Sequence, residues 1–202
     1  MVRLVGQFRH PRGSWGRVAG LVMAHRRSNR RRNSWVVELL DVRPTDRVLE
    51  VGFGPGLAIA ALARRATDGC VFGIDHSELM VRQATRRNAA GVRAGRVRLF
   101  VASVDRLPSI DGPLDVVLAV NNVGFWPDAG AQLRTLRALL RPGGRIALAS
   151  QPRVPGADEA TTARAARELE ELLGGAGFTD LRVHTLALDP PVACVIGRYV
   201  SD

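Results

Sequence analysis

The chain has 202 residues, 46% of them hydrophobic and 24% charged, which suits one globular domain able to bury most of its apolar surface without staples. Two cysteines far apart in sequence, Cys70 and Cys194, lack metal-ligand spacing and read as small core residues in a reducing compartment, so neither a disulfide framework nor a metal site is expected. No apolar run reaches the roughly 18 residues of a membrane span, and no basic-then-apolar leader with a cleavage site is present, which leaves the cytoplasm as the expected location.

The formal net charge of +10 is lopsided: nine arginines and no acid precede Glu38, whereas 20 arginines meet 19 acids from there on. The 29 basic residues are all arginine, a bias that suggests a GC-rich coding sequence more than a binding surface. Residues 1–37 therefore form a basic, helical arm and residues 38–202 a balanced body. Within the arm, Ser14 starts a helix pattern with Trp15, Val18, Ala19, Val22 and Met23 on one face. The arginine-rich run Arg26–Arg32 follows, then a second helix from Ser34 or Trp35 to about Leu40. Three readings of the arm stand side by side: a solvated flank, a lid that brings positive charge to an anionic molecule, and a peripheral contact with an anionic membrane surface or RNA. Aromatics interleaved for base stacking are missing from it, so nucleic acid is not the expected partner.

The body opens with an apolar strand, Arg47–Val51, that carries Glu50 and runs into Gly52, Gly54 and Gly56 before an alanine-rich helix from Leu57. Such a turn brings backbone close to a ligand where a side chain would collide, and the helix aims unpaired amides at it. The third glycine comes four residues after the first, not the five of a dinucleotide fingerprint. The string resembles motif I, E/D-x-G-x-G-x-G, of the class I S-adenosylmethionine-dependent methyltransferases of small-molecule type. The resemblance implies that Gly52, Gly54 and Gly56 hold S-adenosylmethionine and that Glu50 orients its methionine end.

A second strand, Val71–Asp75, ends in an acid 23 residues beyond Gly52, where a carboxylate can accept bonds from both hydroxyls of a ribose. The resemblance gives Asp75 that role and places His76 and Met80 on the adenine; a loop histidine and a core methionine are the other reading of these two. A third strand, Val97–Val101, leads to Ala102–Pro108, similar to the family's G-D-A-x-x-L-P segment. Ser103 stands where the family has a carboxylate, so the resemblance assigns the adenine contacts to the Ser103 hydroxyl and the Val104 amide, with Asp105 as a substitute or a solvated acid.

A fourth strand stops at Asn121–Asn122, resembling motif IV, and the loop Val123–Asp128 follows with Phe125 and Trp126 but no histidine. The resemblance puts Asn121, Phe125 and Trp126 nearest the transferred methyl, with Asn121 also touching the cofactor; the two aromatics line a pocket, cage a cationic amine, or anchor the loop. A helix Gln132–Leu140, the turn Arg141–Gly144 and a strand Arg145–Ser150 repeat the family's R-P-G-G signature. A helix from Asp158 to Leu173 precedes two final strands, Thr179–Leu188 and Val192–Val200, whose short connection requires antiparallel pairing. The whole reads as an α/β fold, a doubly wound, seven-stranded, mostly parallel sheet with an antiparallel C-terminal hairpin, Rossmann-like as in these methyltransferases.

The resemblance implies S-adenosylmethionine-dependent methyl transfer to a small-molecule acceptor, mainly by proximity and orientation. A lipid-headgroup N-methyltransferase at a membrane surface, a dinucleotide oxidoreductase, and a non-catalytic cofactor-binding or RNA-associated module are the alternatives.

Overall fold

A computed structural model describes residues 27–201; the helix expected from Ser14 with Trp15, and the histidines His10 and His25, lie outside them. The elements in chain order are α1 (Arg27–Leu39), β1 (Arg47–Val51), α2 (Leu57–Arg65), β2 (Cys70–Asp75), α3 (Glu78–Arg87), α4 (Ala89–Arg93), β3 (Val97–Val101), β4 (Leu114–Val120), a 3₁₀ turn (Val123–Phe125), α5 (Ala129–Leu139), β5 (Leu140–Ser150), α6 (Glu159–Gly175), β6 (Thr179–Leu186) and β7 (Val192–Arg198).

The seven strands form one sheet in the order β3-β2-β1-β4-β5-β7-β6. The first five run parallel, and β7 pairs antiparallel with both β5 and β6. Helices span the returns from β1 to β2, β2 to β3 and β4 to β5, and a loop (102–113) spans that from β3 to β4, whereas the link from β6 to β7 is too short for a crossover and leaves only a hairpin. The strand order reverses between β1 and β4, which opens a crevice at the carboxyl ends of those two strands.

Period-2 alternation along the central strands divides the core between two faces. Leu49, Val51, Phe72, Ile74, Val117, Ile146 and Leu148 pack under α5 and α6 through Leu133, Leu136, Leu169 and Leu173. Val48, Val71, Val116, Leu118 and Ala147 pack under α1 and α2 through Val36, Val37, Ile59 and Leu62. Burying each such Leu, Ile or Phe side chain contributes about 1.5–3 kcal/mol, which favours this single arrangement of the strands. Cys70 and Cys194 are both free and buried, and burial raises the Cys194 thiol to about 12.

Three of the differences from the sequence reading have a clear local cause. One helix, α1, winds through both the arginine run and the expected second arm helix, because arginine is a strong helix former and Asn29, Arg32 and Val36 fall on one face that the body buries. The expected boundary between residues 37 and 38 lies inside α1. The end of that helix is held by Arg145, whose Nε donates to the Leu40 carbonyl at 2.6 Å and whose Nη2 donates to the Asp41 carbonyl and to Asp46 Oδ2, both at 2.8 Å. Second, α5 starts at Ala129 because Asp128 caps it, accepting the Ala131 N–H at 2.9 Å. Third, β5 already begins at Leu140. Pro142 stops the helix, but Gly143 at φ +79° bulges the strand, and Gly143 and Gly144 pair with Tyr199 at 2.7 and 2.8 Å.

Candidate active site

The crevice is built from the loop after β1, the acid ending β2, and the loop after β4. In the first loop Gly52, Gly54 and Gly56 sit at φ +67°, +54° and +77°, conformations that favour glycine. They differ in what surrounds them. A Cβ at Gly54 would meet nothing within 4 Å, so that glycine borders open space at the crevice. A Cβ at Gly56 would stand 2.7 Å from the Ala84 Cβ, so that glycine lets α2 pack on α3.

Asp75 is buried and ties the loop to its own strand: Oδ2 accepts the Gly54 N–H at 2.8 Å and Oδ1 accepts the Ser77 N–H at 2.9 Å. Each carboxylate oxygen keeps a lone pair for one further donor. Burial raises its pKa, and the Ser77 and Gly54 amides pull it partly back. Glu50, buried one strand away, holds its proton well above the usual carboxylate range, first through desolvation and second through the charge of Asp75. Its Oε2 is buried without a partner, which leaves one polar atom uncommitted beneath the glycine loop.

The residues expected on the adenine side divide between exposed and buried positions. The His76 side chain is half exposed, with Nδ1 3.9 Å from Asp75 Oδ1, while Met80 is buried beneath the Ser77 cap of α3. The Ser103 hydroxyl donates to Asp105, whose carboxyl is thereby held below its ordinary range, and the Val104 side chain is buried. The Ser103 proton is committed to its neighbour, although the oxygen still accepts.

On the other side β4 ends at Val120, earlier than the sequence pattern suggests, because Asn121 turns to φ +57°, a conformation that asparagine tolerates better than other non-glycine residues. That twist sends the paired asparagines to different duties. Asn121 Oδ1 accepts the Gln151 N–H at 2.7 Å, and its Nδ2 is buried without an acceptor. Asn122 donates to the Val51 carbonyl and lies against Gly52. Phe125 is 59% exposed at the mouth, whereas Trp126 is half buried against the core. The structure thus groups Glu50, Gly52, Gly54, Asp75 and Asn121 around one crevice and adds Asn122 and Gln151, which sequence reasoning did not single out. The doublet of polar residues ending an apolar strand was the available sign of Asn122; nothing in the sequence marks Gln151.

A family model described as a methyltransferase domain matches residues 48–144. The chain is 32% identical over 176 residues to uncharacterized methyltransferase YdaC of Bacillus subtilis (strain 168), covering 87% of this chain and 94% of that protein. It is 36% identical over 117 residues to the 27-O-demethylrifamycin SV methyltransferase of Amycolatopsis mediterranei (strain S699), 58% of this chain and 43% of that one. The solved N-methyltransferase NodS from Bradyrhizobium japonicum WM9, in complex with S-adenosyl-L-homocysteine, shares the fold with a TM-score of 0.69 at 16% identity, covering 89% of this chain and 91% of that one. These relatives favour neither the oxidoreductase nor the non-catalytic readings. A glycine loop, a strand-ending acid and the β4 asparagines converging at the switch point, in a chain matched almost end to end by a methyltransferase, place it among the class I S-adenosylmethionine-dependent methyltransferases.

Proposed function

We propose that the enzyme methylates a small organic acceptor held between the amino-terminal part of α1 and the loop after β4, by positioning rather than by a strong general base. The observation that carries this reading is the composition of that loop: Asn121, Asn122, Phe125 and Trp126 include no histidine, and the loop's one acid, Asp128, caps α5. Among the described residues the histidines are His76, beside Asp75, and His184, on β6 at the far edge of the sheet.

The residues present fit the cofactor: Gly54 offers a cradle a Cβ would fill, Asp75 keeps two lone pairs, and Glu50 has an uncommitted oxygen. S-adenosylmethionine, when bound, supplies a methyl group already activated by a sulfonium. In this reading Gly52 and Gly54 admit it, Asp75 takes the ribose hydroxyls, and His76, Met80, Ser103 and Val104 flank the adenine. Glu50 and Asn121 fix the methionine end, Trp126 stiffens the loop, and Phe125 shields the acceptor from water. Aligning an acceptor in this way can be worth about 7–11 kcal/mol in favourable systems, more than the factor of about 10² to 10⁴ from a general base.

No helix among the described residues is long and apolar enough to cross a membrane, in keeping with our proposal of a cytoplasmic enzyme acting on dissolved substrates. Relatives named 27-O-demethylrifamycin SV methyltransferase and nocamycin O-methyltransferase support a small-molecule acceptor. The test is calorimetric titration with S-adenosylhomocysteine, then mass-spectrometric screening of amine, carboxylate and phenol panels for methyl transfer. Micromolar binding lost in Asp75→Ala, with turnover of at least one acceptor class, is expected. Turnover confined to phenols and lost sharply on the acid side, as an essential group takes up a proton, would point to a hidden base and overturn the positioning mechanism.

A further inference from the structure

Arg32 is 5% exposed, yet its guanidinium meets no carboxylate among the described residues. Its Nη1 donates to Gln151 Oε1 at 2.6 Å, its Nη2 donates to Asn29 Oδ1 at 3.0 Å, and its Nε is buried without an acceptor. The sequence before Glu38 holds no acid that could supply the missing charge. The last strand, β7, ends beside Arg145, at the end of β5 away from Gln151. A buried cation without a counter-ion is strongly unfavourable. Fastening α1 to the loop after β5 would need only an uncharged amide.

The surroundings add further positive charge. Arg153 Nη2 donates to the same Asn29 oxygen at 3.2 Å, and its charge, after desolvation, lowers the Arg32 pKa to about 10. The cluster adjoins the crevice: Gln151, which takes the Arg32 bond through its side chain, gives its backbone N–H to Asn121. The Asn121 Nδ2 is a second buried donor without an acceptor. Two buried N–H donors without acceptors, Arg32 Nε and Asn121 Nδ2, thus lie at the carboxyl ends of β4 and β5, with the Arg153 guanidinium beside them.

Building on the acceptor site proposed above, we propose that Arg32, seconded by Arg153, anchors an oxyanion of the methyl acceptor, so that the enzyme selects small molecules carrying a carboxylate or a phosphate. Such a group balances the buried Arg32 charge and matches its planar guanidinium fork, which a neutral isostere does not. It also gives the arginine run of α1 a function: the exposed arginines Arg27, Arg30 and Arg31 attract the anion, and the buried one holds it.

The test uses the full chain saturated with S-adenosylhomocysteine and titrated with benzoate, phenyl phosphate and neutral benzamide. Wild-type protein is expected to bind one or both anions at least about tenfold more tightly than benzamide, and the stronger of the two identifies carboxylate or phosphate as the natural group. Arg32→Met should abolish this preference while S-adenosylhomocysteine affinity holds; Arg32→Lys and Arg153→Met, which keep the fold if the first does not, should weaken it. Equal binding of benzoate, phenyl phosphate and benzamide, or an anion preference unchanged in all three variants, would overturn the proposal. Binding of S-adenosylhomocysteine to the wild type is read separately, and its failure would strike the cofactor site, not the anion anchor.

Discussion

The side-chain amide of Asn122 lies on the first glycine of the cofactor loop: it donates to the Val51 carbonyl, and a Cβ at Gly52 would stand 2.2 Å from its Nδ2. The end of β4 therefore clamps the turn after β1, its neighbour in the sheet. Gly52→Ala must displace that amide and also hold alanine at φ +67°. The expected loss is about 1–3 kcal/mol of stability. Asn122→Ala should relieve the collision, so a double-mutant cycle read by urea denaturation should show positive coupling between the two sites. Strict additivity would mean that the amide does not clamp the turn.

Gly54 and Gly56 look alike in sequence but differ in surroundings, and their alanine variants should separate the two duties. Gly54→Ala enters open space, so it should cost only the left-handed backbone penalty of about 1–2 kcal/mol, while weakening S-adenosylhomocysteine by obstructing its approach. Gly56→Ala drives a methyl group into Ala84 and Asn88 at 2.7–2.8 Å. It should lower the melting temperature more and push α2 off α3. Calorimetry of both variants checks this, and the reverse ranking would refute the division.

The glycine loop, Asp75 and the parallel strands with their closing hairpin were legible because they depend on neighbours in sequence: an apolar strand, then an acid, a glycine or a short link at fixed spacing. Asn122 escaped notice because its role follows from the single dihedral of Asn121, which turns two identical residues to opposite sides. Arg32 escaped for a different reason. A run of arginines reads as a solvated flank, and only its partner Gln151, 119 residues away, shows that one of them faces inward. The long β5 was obscured likewise, since Pro-Gly-Gly signals a turn and only pairing with Tyr199 keeps those residues in the sheet.

Phe125 and Trp126 are adjacent, but they should respond differently to truncation. Trp126 packs on the core beside the 3₁₀ turn, so Trp126→Ala should destabilise the protein by about 2 kcal/mol, less than the 3–5 kcal/mol of a fully buried aromatic. Phe125 is 59% exposed, so Phe125→Ala should change stability by no more than about 0.5 kcal/mol yet raise KM for the acceptor with little change for the cofactor. If KM stays at the wild-type value, Phe125 has no part in acceptor binding.

Glu50 gives the pH dependence its sign. Its folded pKa lies well above that of an unfolded glutamate, about 4.3, because it is buried and faces Asp75. Between the two values the folded state holds a proton that the unfolded state has released, so stability falls as pH rises through that window and stops falling above the folded pKa. Asp75, also raised, adds to the same trend. Glu50→Gln keeps the shape and removes the titration. Its advantage in melting temperature over the wild type should vanish below about pH 4, where Glu50 is protonated in both states, and should grow steadily towards neutral pH. Thermal melts from pH 4 to 8.5 read this directly. A difference between variant and wild type that stays flat across that range would show that Glu50 is already ionised in the folded protein, with its charge met by a donor.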